Sequence, residues 1–128
     1  MENQASLTLE LSKTIQSLNQ NSRLNLVLTR NEDETQSLVE VATIANKTKP
    51  DLFVSLHYNN ANKNAQLSGT EIYIANPAKT NLYDSHLQFA NQLANQLDDL
   101  NMPFNGIKSR KEGVYVLQNI NCPSILIE

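Results

Sequence analysis

A lone cysteine, Cys122, excludes an internal disulfide, and two histidines are too few for a cysteine and histidine cluster of the structural-zinc kind. The redox compartment stays open. Only three glycines occur, and none builds a phosphate-cradling loop. An HExxH pair and a Gly-x-Ser-x-Gly elbow are missing too, so zincin-type proteolysis and serine hydrolysis lack their marks. No apolar run approaches the roughly 18 residues that a membrane-spanning helix needs, and no charged-then-apolar leader with a small-residue cleavage site opens the sequence. Charge of one sign is absent as well. Ten basic and thirteen acidic residues are interspersed, for a net charge of −3, so no basic field exists to attract a phosphate backbone and nucleic acid is not expected as a partner.

What is present suits one compact domain: 128 residues, 40% of them hydrophobic, can bury a core without reserve for losing an element. Leu7, Leu11, Ile15 and Leu18 recur at helical spacing, and the polar cluster Asn19 to Ser22 ends that helix. Leu24 to Leu28 has the texture of a short strand. Asp33 with Gln36 suggests a helix cap before Leu38, Val41 and Ala45, and Pro50 stops that helix. Leu52 to Leu56 is the most apolar run and predicts a central strand, with His57 at its carboxyl end. Thr70 to Ile74 predicts another strand. Ser85 and Gln88 suggest the cap of the longest helix, which carries Leu87, Ala90 and Leu97. Tyr115 to Leu117 and Ser124 to Ile127 predict two final strands. This order implies an α/β fold with a mostly parallel twisted sheet flanked by helices.

In such sheets ligands collect beyond the carboxyl ends of the strands. His57 lies at one such end, where an imidazole presents one nitrogen while the other is held. Taken alone, it fits equally a strand-end histidine bonded to a loop. Glu128 closes the Ser124 to Ile127 run, and a carboxyl group among apolar neighbours can take and give a proton near neutral pH. Its bland counterpart is a solvated terminus. Glu2 precedes the first helix, where a carboxylate is favoured by the helix dipole. His86 reads as a surface residue, and Lys108, Arg110, Lys111 and Glu112 read as a solvated loop, less often a substrate-facing one.

Taken together, Ile44-Ala45-Asn46, the run Asp51 to Asn59 (DLFVSLHYN), Gly69-Thr70-Glu71, Val116-Leu117 and the run Pro123 to Glu128 (PSILIE) resemble the zinc-dependent N-acetylmuramoyl-L-alanine amidases. The match runs over nearly the whole sequence. The resemblance implies a zinc ion held by two histidines and a glutamate, with His57 as the histidine of the Ser-x-His-x-Asn strand end and Glu2 as the glutamate. It implies Glu128 as the catalytic carboxylate, which takes a proton from water and delivers it to the leaving amine, and Asn59 as a lining of the substrate groove. The substrate would be peptidoglycan, cut between N-acetylmuramic acid and the first alanine of the stem peptide. The protein would then act in the periplasm or at the cell wall, as a monomer.

Measured against that family, residues 1–128 are expected to form a partial catalytic domain. The opening strand with its Gly-His-Gly-Gly-like turn, which carries the first histidine ligand, and the segment after the catalytic glutamate both have no counterpart. Val41 stands where many relatives carry an arginine. Weak zinc binding and little activity are expected of these residues by themselves. The alternative is an inactive amidase-like module that binds cell-wall glycopeptide or a regulator; a plain α/β interaction domain is the third reading.

Overall fold

The computed structural model describes residues 4–58 and 69–128. Its elements run α1 (Gln4–Leu18), α2 (Leu38–Thr48), β1 (Phe53–Leu56), β2 (Thr70–Tyr73), a 3-10 turn (Pro77–Lys79), α3 (Tyr83–Asp99), β3 (Phe104–Lys108), α4 (Tyr115–Asn119) and β4 (Ser124–Ile127). Among the described residues the four strands make one mixed sheet, ordered β1-β4-β2-β3. The β1/β4 and β2/β3 pairings are parallel and β2/β4 is antiparallel. The expected α/β domain with helices on a mostly parallel sheet is therefore present.

Two cores sandwich the sheet. On one face Phe53 and Leu126 pack with Ala42 and Ala45 of α2 and with Val116, Leu117 and Ile120 in and beside α4. On the other, Ile72, Ile74 and Ile125 meet Ala90 and the Leu87 and Leu93 side of α3. Because side chains alternate along a strand, this division assigns each strand residue to a face. Asn46 ties the first layer together. Its amide nitrogen donates to Asn119 O at 3.0 Å and its amide oxygen accepts from Asn121 N at 2.8 Å, which pins α2 to the turn that feeds β4.

Several expectations are corrected. Leu24 to Leu28 forms no strand: no other described segment pairs with it, and Leu24 and Val27 are half exposed. Side-chain amides bond its carbonyls instead, Gln16 to Leu26 O and Asn19 to Leu24 O. The apolar stripe of α1 is only partly covered by described residues, with Leu18 72% exposed. β1 lies at the edge of the described sheet and β4 in its middle. Apolar content ranked them wrongly, since Val54 is 40% exposed whereas Ser124, Ile125 and Leu126 are all buried.

Helix starts also moved. α2 is capped by Ser37, whose hydroxyl accepts from Glu40 N while the Glu40 carboxylate accepts from Ser37 N. Asp33 pairs with Arg30 at 3.6 Å and Gln36 bonds Thr29 O, so residues 29–36 close on themselves before the helix begins. The cap of α3 is Leu82 rather than Ser85, with no side-chain bond. Tyr115 to Leu117 is helical. Val116, Leu117 and Ile120 are buried together, a spacing that a helix turn satisfies and a strand cannot.

β3 is an additional strand. Its pattern is broken by Asn105 and Gly106, where the β2/β3 register shifts between Thr70/Phe104 and Ile72/Ile107. Gly106 has φ +111, the conformation that a bulge of this kind requires.

His86 is fully buried instead of lying on the surface. Its Nδ1 accepts from Ser124 N at 2.8 Å, so the ring proton sits on Nε2 and is donated to Thr80 Oγ1 at 3.0 Å. The neutral ring thus fastens the start of β4 to the turn before α3. A second proton would set two donors against each other, and burial holds the pKa below its usual 6.5. A folded-state pKa below the unfolded value means that the unfolded chain binds the extra proton first. Stability contributed by His86 is therefore complete above pH 6.5 and is lost as pH falls toward the folded pKa. Denaturant melts between pH 7.5 and 5 should show this decline. His86→Ala should cost about 2–4 kcal/mol at pH 7.5, for the cavity and the orphaned Ser124 N–H, and should flatten the slope.

Candidate functional site

The site grows from the way β4 lies between β1 and β2. In the parallel β1/β4 ladder Leu56 is level with Ile127, and His57 N donates to Ile127 O at 2.8 Å, so His57 and Glu128 end their strands side by side. Phe53 and Leu126 belong to the same core, and two-residue alternation carries Ser55, His57 and Glu128 onto that same face. On the other flank Glu71 N donates to Glu128 O at 3.0 Å and Glu128 N to Glu71 O at 2.9 Å. This mutual pair sets Glu71 directly opposite Glu128, again on one face. His57, Glu128 and Glu71 thus form a row across three adjacent strands.

The edge is not a row of carboxyl ends throughout. β1 and β4 finish there, whereas β2 and β3 begin there, because β2 runs against β4. Gly69 makes the tight entry into β2. Its φ is +114 and a Cβ would stand 3.0 Å from Pro103 O, the carbonyl that receives Thr70 N–H at 3.0 Å.

Each member of the row has its own environment. The half-buried His57 ring bonds the Ser55 hydroxyl through Nε2 at 2.9 Å. Burial lowers its pKa below the ordinary value; Glu128 opposes this and Arg110 adds to it. The imidazole is therefore neutral at pH 7, the form that ligates a metal. Glu71, 7% exposed, accepts from Tyr73 OH at 2.7 Å on one oxygen and meets Lys108 Nζ at 3.3 Å on the other. The tyrosine bond, with help from Lys108 and Arg110, holds its carboxyl below the usual range despite burial. Arg110 lies over the Tyr73 ring, 4.8 Å from its centroid.

Like charges opposite each other on a ladder repel, by on the order of 1–3 kcal/mol at this spacing and an intermediate dielectric. Here the Glu71 charge is matched by Tyr73 and Lys108, which lessens the repulsion between the two side chains. Lys108, Arg110, Lys111 and Glu112 are all exposed, as the solvated reading has it, but that reading leaves out two contacts. Lys108 ends a strand and binds a buried carboxylate, and Arg110 is stacked. The alternation of Glu71 and Tyr73 around Ile72 was the one signal in the sequence that put both on a single face.

Of the residues expected at the site, His57 and Glu128 are brought together. Glu2 and Asn59 lie outside the described residues. Among the described residues no three histidine, cysteine, aspartate or glutamate side chains converge to hold a metal ion. The donor types, a neutral imidazole and a carboxylate, fit zinc; their number among the described residues does not complete a site.

Comparison with known proteins agrees with this geometry. The family model described as N-acetylmuramoyl-L-alanine amidase matches residues 2–128. An N-acetylmuramoyl-L-alanine amidase from Clostridium difficile 630 superposes with a TM-score of 0.83 at 25% identity, over 99% of this chain and 66% of its own. The amidase AmiC2 of Nostoc punctiforme gives 0.73 at 25% identity, over 97% and 63%. Cwp6 from Clostridium difficile gives 0.63 at 33% identity, over 97% of this chain and 19% of its own. The chain thus spans less than two thirds of the length of these solved relatives. Comparison with curated protein sequences finds no match. A family match over residues 2–128, on a fold that sets His57 beside Glu128, means that the chain belongs to the N-acetylmuramoyl-L-alanine amidases.

Proposed function

We propose that residues 1–128 are part of a catalytic domain that hydrolyses the amide between N-acetylmuramic acid and L-alanine in peptidoglycan, with zinc as cofactor. The observation that carries this reading is the adjacency of His57 and Glu128 on one face of the sheet edge, an imidazole beside a carboxylate. His57, with Glu2 as a second ligand, would hold the zinc. When bound, zinc supplies Lewis-acid polarisation of the amide carbonyl.

The remaining work belongs to side chains. Ser55 fixes the His57 ring, so the ligating nitrogen keeps its direction. Glu128 accepts a proton from the attacking water and returns it to the departing alanine nitrogen, which would otherwise leave as an unstable amide anion. Double backbone pairing with Glu71 limits the movement of Glu128 between these two acts. Asn59 would line the groove that receives the glycan or peptide. Such a substrate puts the place of action at the cell wall, in the periplasm or outside the cell.

Two substitutions separate the roles. Glu128→Gln should lower the rate of peptidoglycan release by the full-length protein at least about a hundredfold while zinc content stays unchanged. Release at the wild-type rate would refute the catalytic assignment. In a chelator competition, Ser55→Ala should weaken zinc binding by about tenfold or more and His57→Ala by a larger factor. Equal affinity in all three proteins would remove His57 from the metal site.

A further inference from the structure

Beyond the reacting centre, the same face carries an exposed cation, Arg110, that forms neither of the ion pairs among the described residues. Tyr73 stands two residues back along β2 from the Glu71–Glu128 pair, and its hydroxyl on Glu71 aims the ring toward that row. The guanidinium of Arg110 lies over this ring. Contact with the Tyr73 ring and a bond to Tyr73 restrain the planar group, and because it is exposed its remaining N–H donors face solvent. Arg110 is exposed, and among the described residues neither ion pair involves it: Glu71 is matched by Lys108, and Asp33 by Arg30. In a chain of net charge −3 this is a local positive spot, and its field extends to His57, whose pKa it helps to lower.

The spacing gives the spot a meaning. Strands lie about 4.8 Å apart and two residues along a strand span roughly 7 Å, so a group held over Tyr73 is about 8 Å from the Glu128 position and about 12 Å from that of His57. A peptide residue spans roughly 3.5 Å. A substrate with its scissile amide at His57 and Glu128 and its peptide running toward β2 therefore brings the second or third residue of that peptide under Arg110. A planar, forked, preorganised cation there is matched to a carboxylate.

We propose that Arg110 binds a free carboxylate on the stem-peptide residue that follows the first alanine, and so makes the protein prefer unamidated stem peptides. This rests on the amidase reading of the site. Lys108 does not share the role, because its ammonium is engaged by buried Glu71.

The test is calorimetric binding of two soluble glycopeptides to the zinc-loaded full-length protein: muramoyl-L-alanyl-D-isoglutamate and its amidated isoglutamine counterpart, identical but for the charge. The wild type should bind the carboxylate form about tenfold more tightly, a typical gain for one charge-assisted contact. The difference should shrink as salt is raised. Arg110→Gln should bind both forms alike, at the affinity of the amide, while Arg110→Lys, lacking the fork, should restore only part of the preference. Equal wild-type affinities for the two forms, or an undiminished preference in Arg110→Gln, would overturn the assignment while leaving the amidase reading intact. Failure of the wild type to bind either form would overturn both. Tyr73→Phe keeps the ring under the guanidinium and should retain the preference, which separates stacking from the Glu71 bond.

Discussion

The placement of β4 between a parallel and an antiparallel neighbour is the constraint on which the site depends. Parallel pairing with β1 makes both strands finish together, which delivers His57 and Glu128 to one edge. Antiparallel pairing with β2 brings the beginning of that strand to the same edge, and with it Glu71. Either pairing alone would assemble two of the three groups. The rest of the fold serves this arrangement: Asn46 holds the turn that feeds β4, and His86 fastens its first residue from the opposite layer.

Much of this was legible in the sequence because it is local. The helices α1, α2 and α3 and the strands β1, β2 and β4 follow from apolar spacing, and His57 and Glu128 follow from their positions at the ends of apolar runs. What escaped detection depends on contacts between distant residues. Leu24 to Leu28 looks like a strand and has no described partner, since pairing is a property of two segments. Val116 and Leu117 read equally as strand or helix until Ile120 is seen to share their core. His86 looked like a surface residue on a helix because its partners, Thr80 and Ser124, lie before its helix and at the far end of the chain.

The polar half of the site was the least legible. A lysine and an arginine in a charged stretch ordinarily face water, and only the β2/β3 pairing reveals that Lys108 is level with Tyr73. The consequence is electrostatic. Two glutamates opposite each other would repel, yet the charge of one is matched by a tyrosine and a lysine, so that the other can stand between it and a histidine. Family resemblance pointed to His57, Glu128, Glu2 and Asn59. Geometry adds Glu71, Tyr73, Lys108 and Arg110.

The bulge at Gly106 decides which way the end of β3 points. Pairing is Thr70 with Phe104 before it and Tyr73 with Lys108 after it, so β3 spends one residue more than β2 over that stretch. Phe104 and Ile107 both reach the α3 core only because of that extra residue. Were the same residues paired in regular alternation, with no bulge, Ile107 and Lys108 would trade sides of the sheet. An ammonium group would enter the packed layer against α3 and an isoleucine would face the Glu71 carboxylate. A single irregular residue in the backbone thus acts as a switch of facing, and the polarity of the whole upper surface is inherited from it.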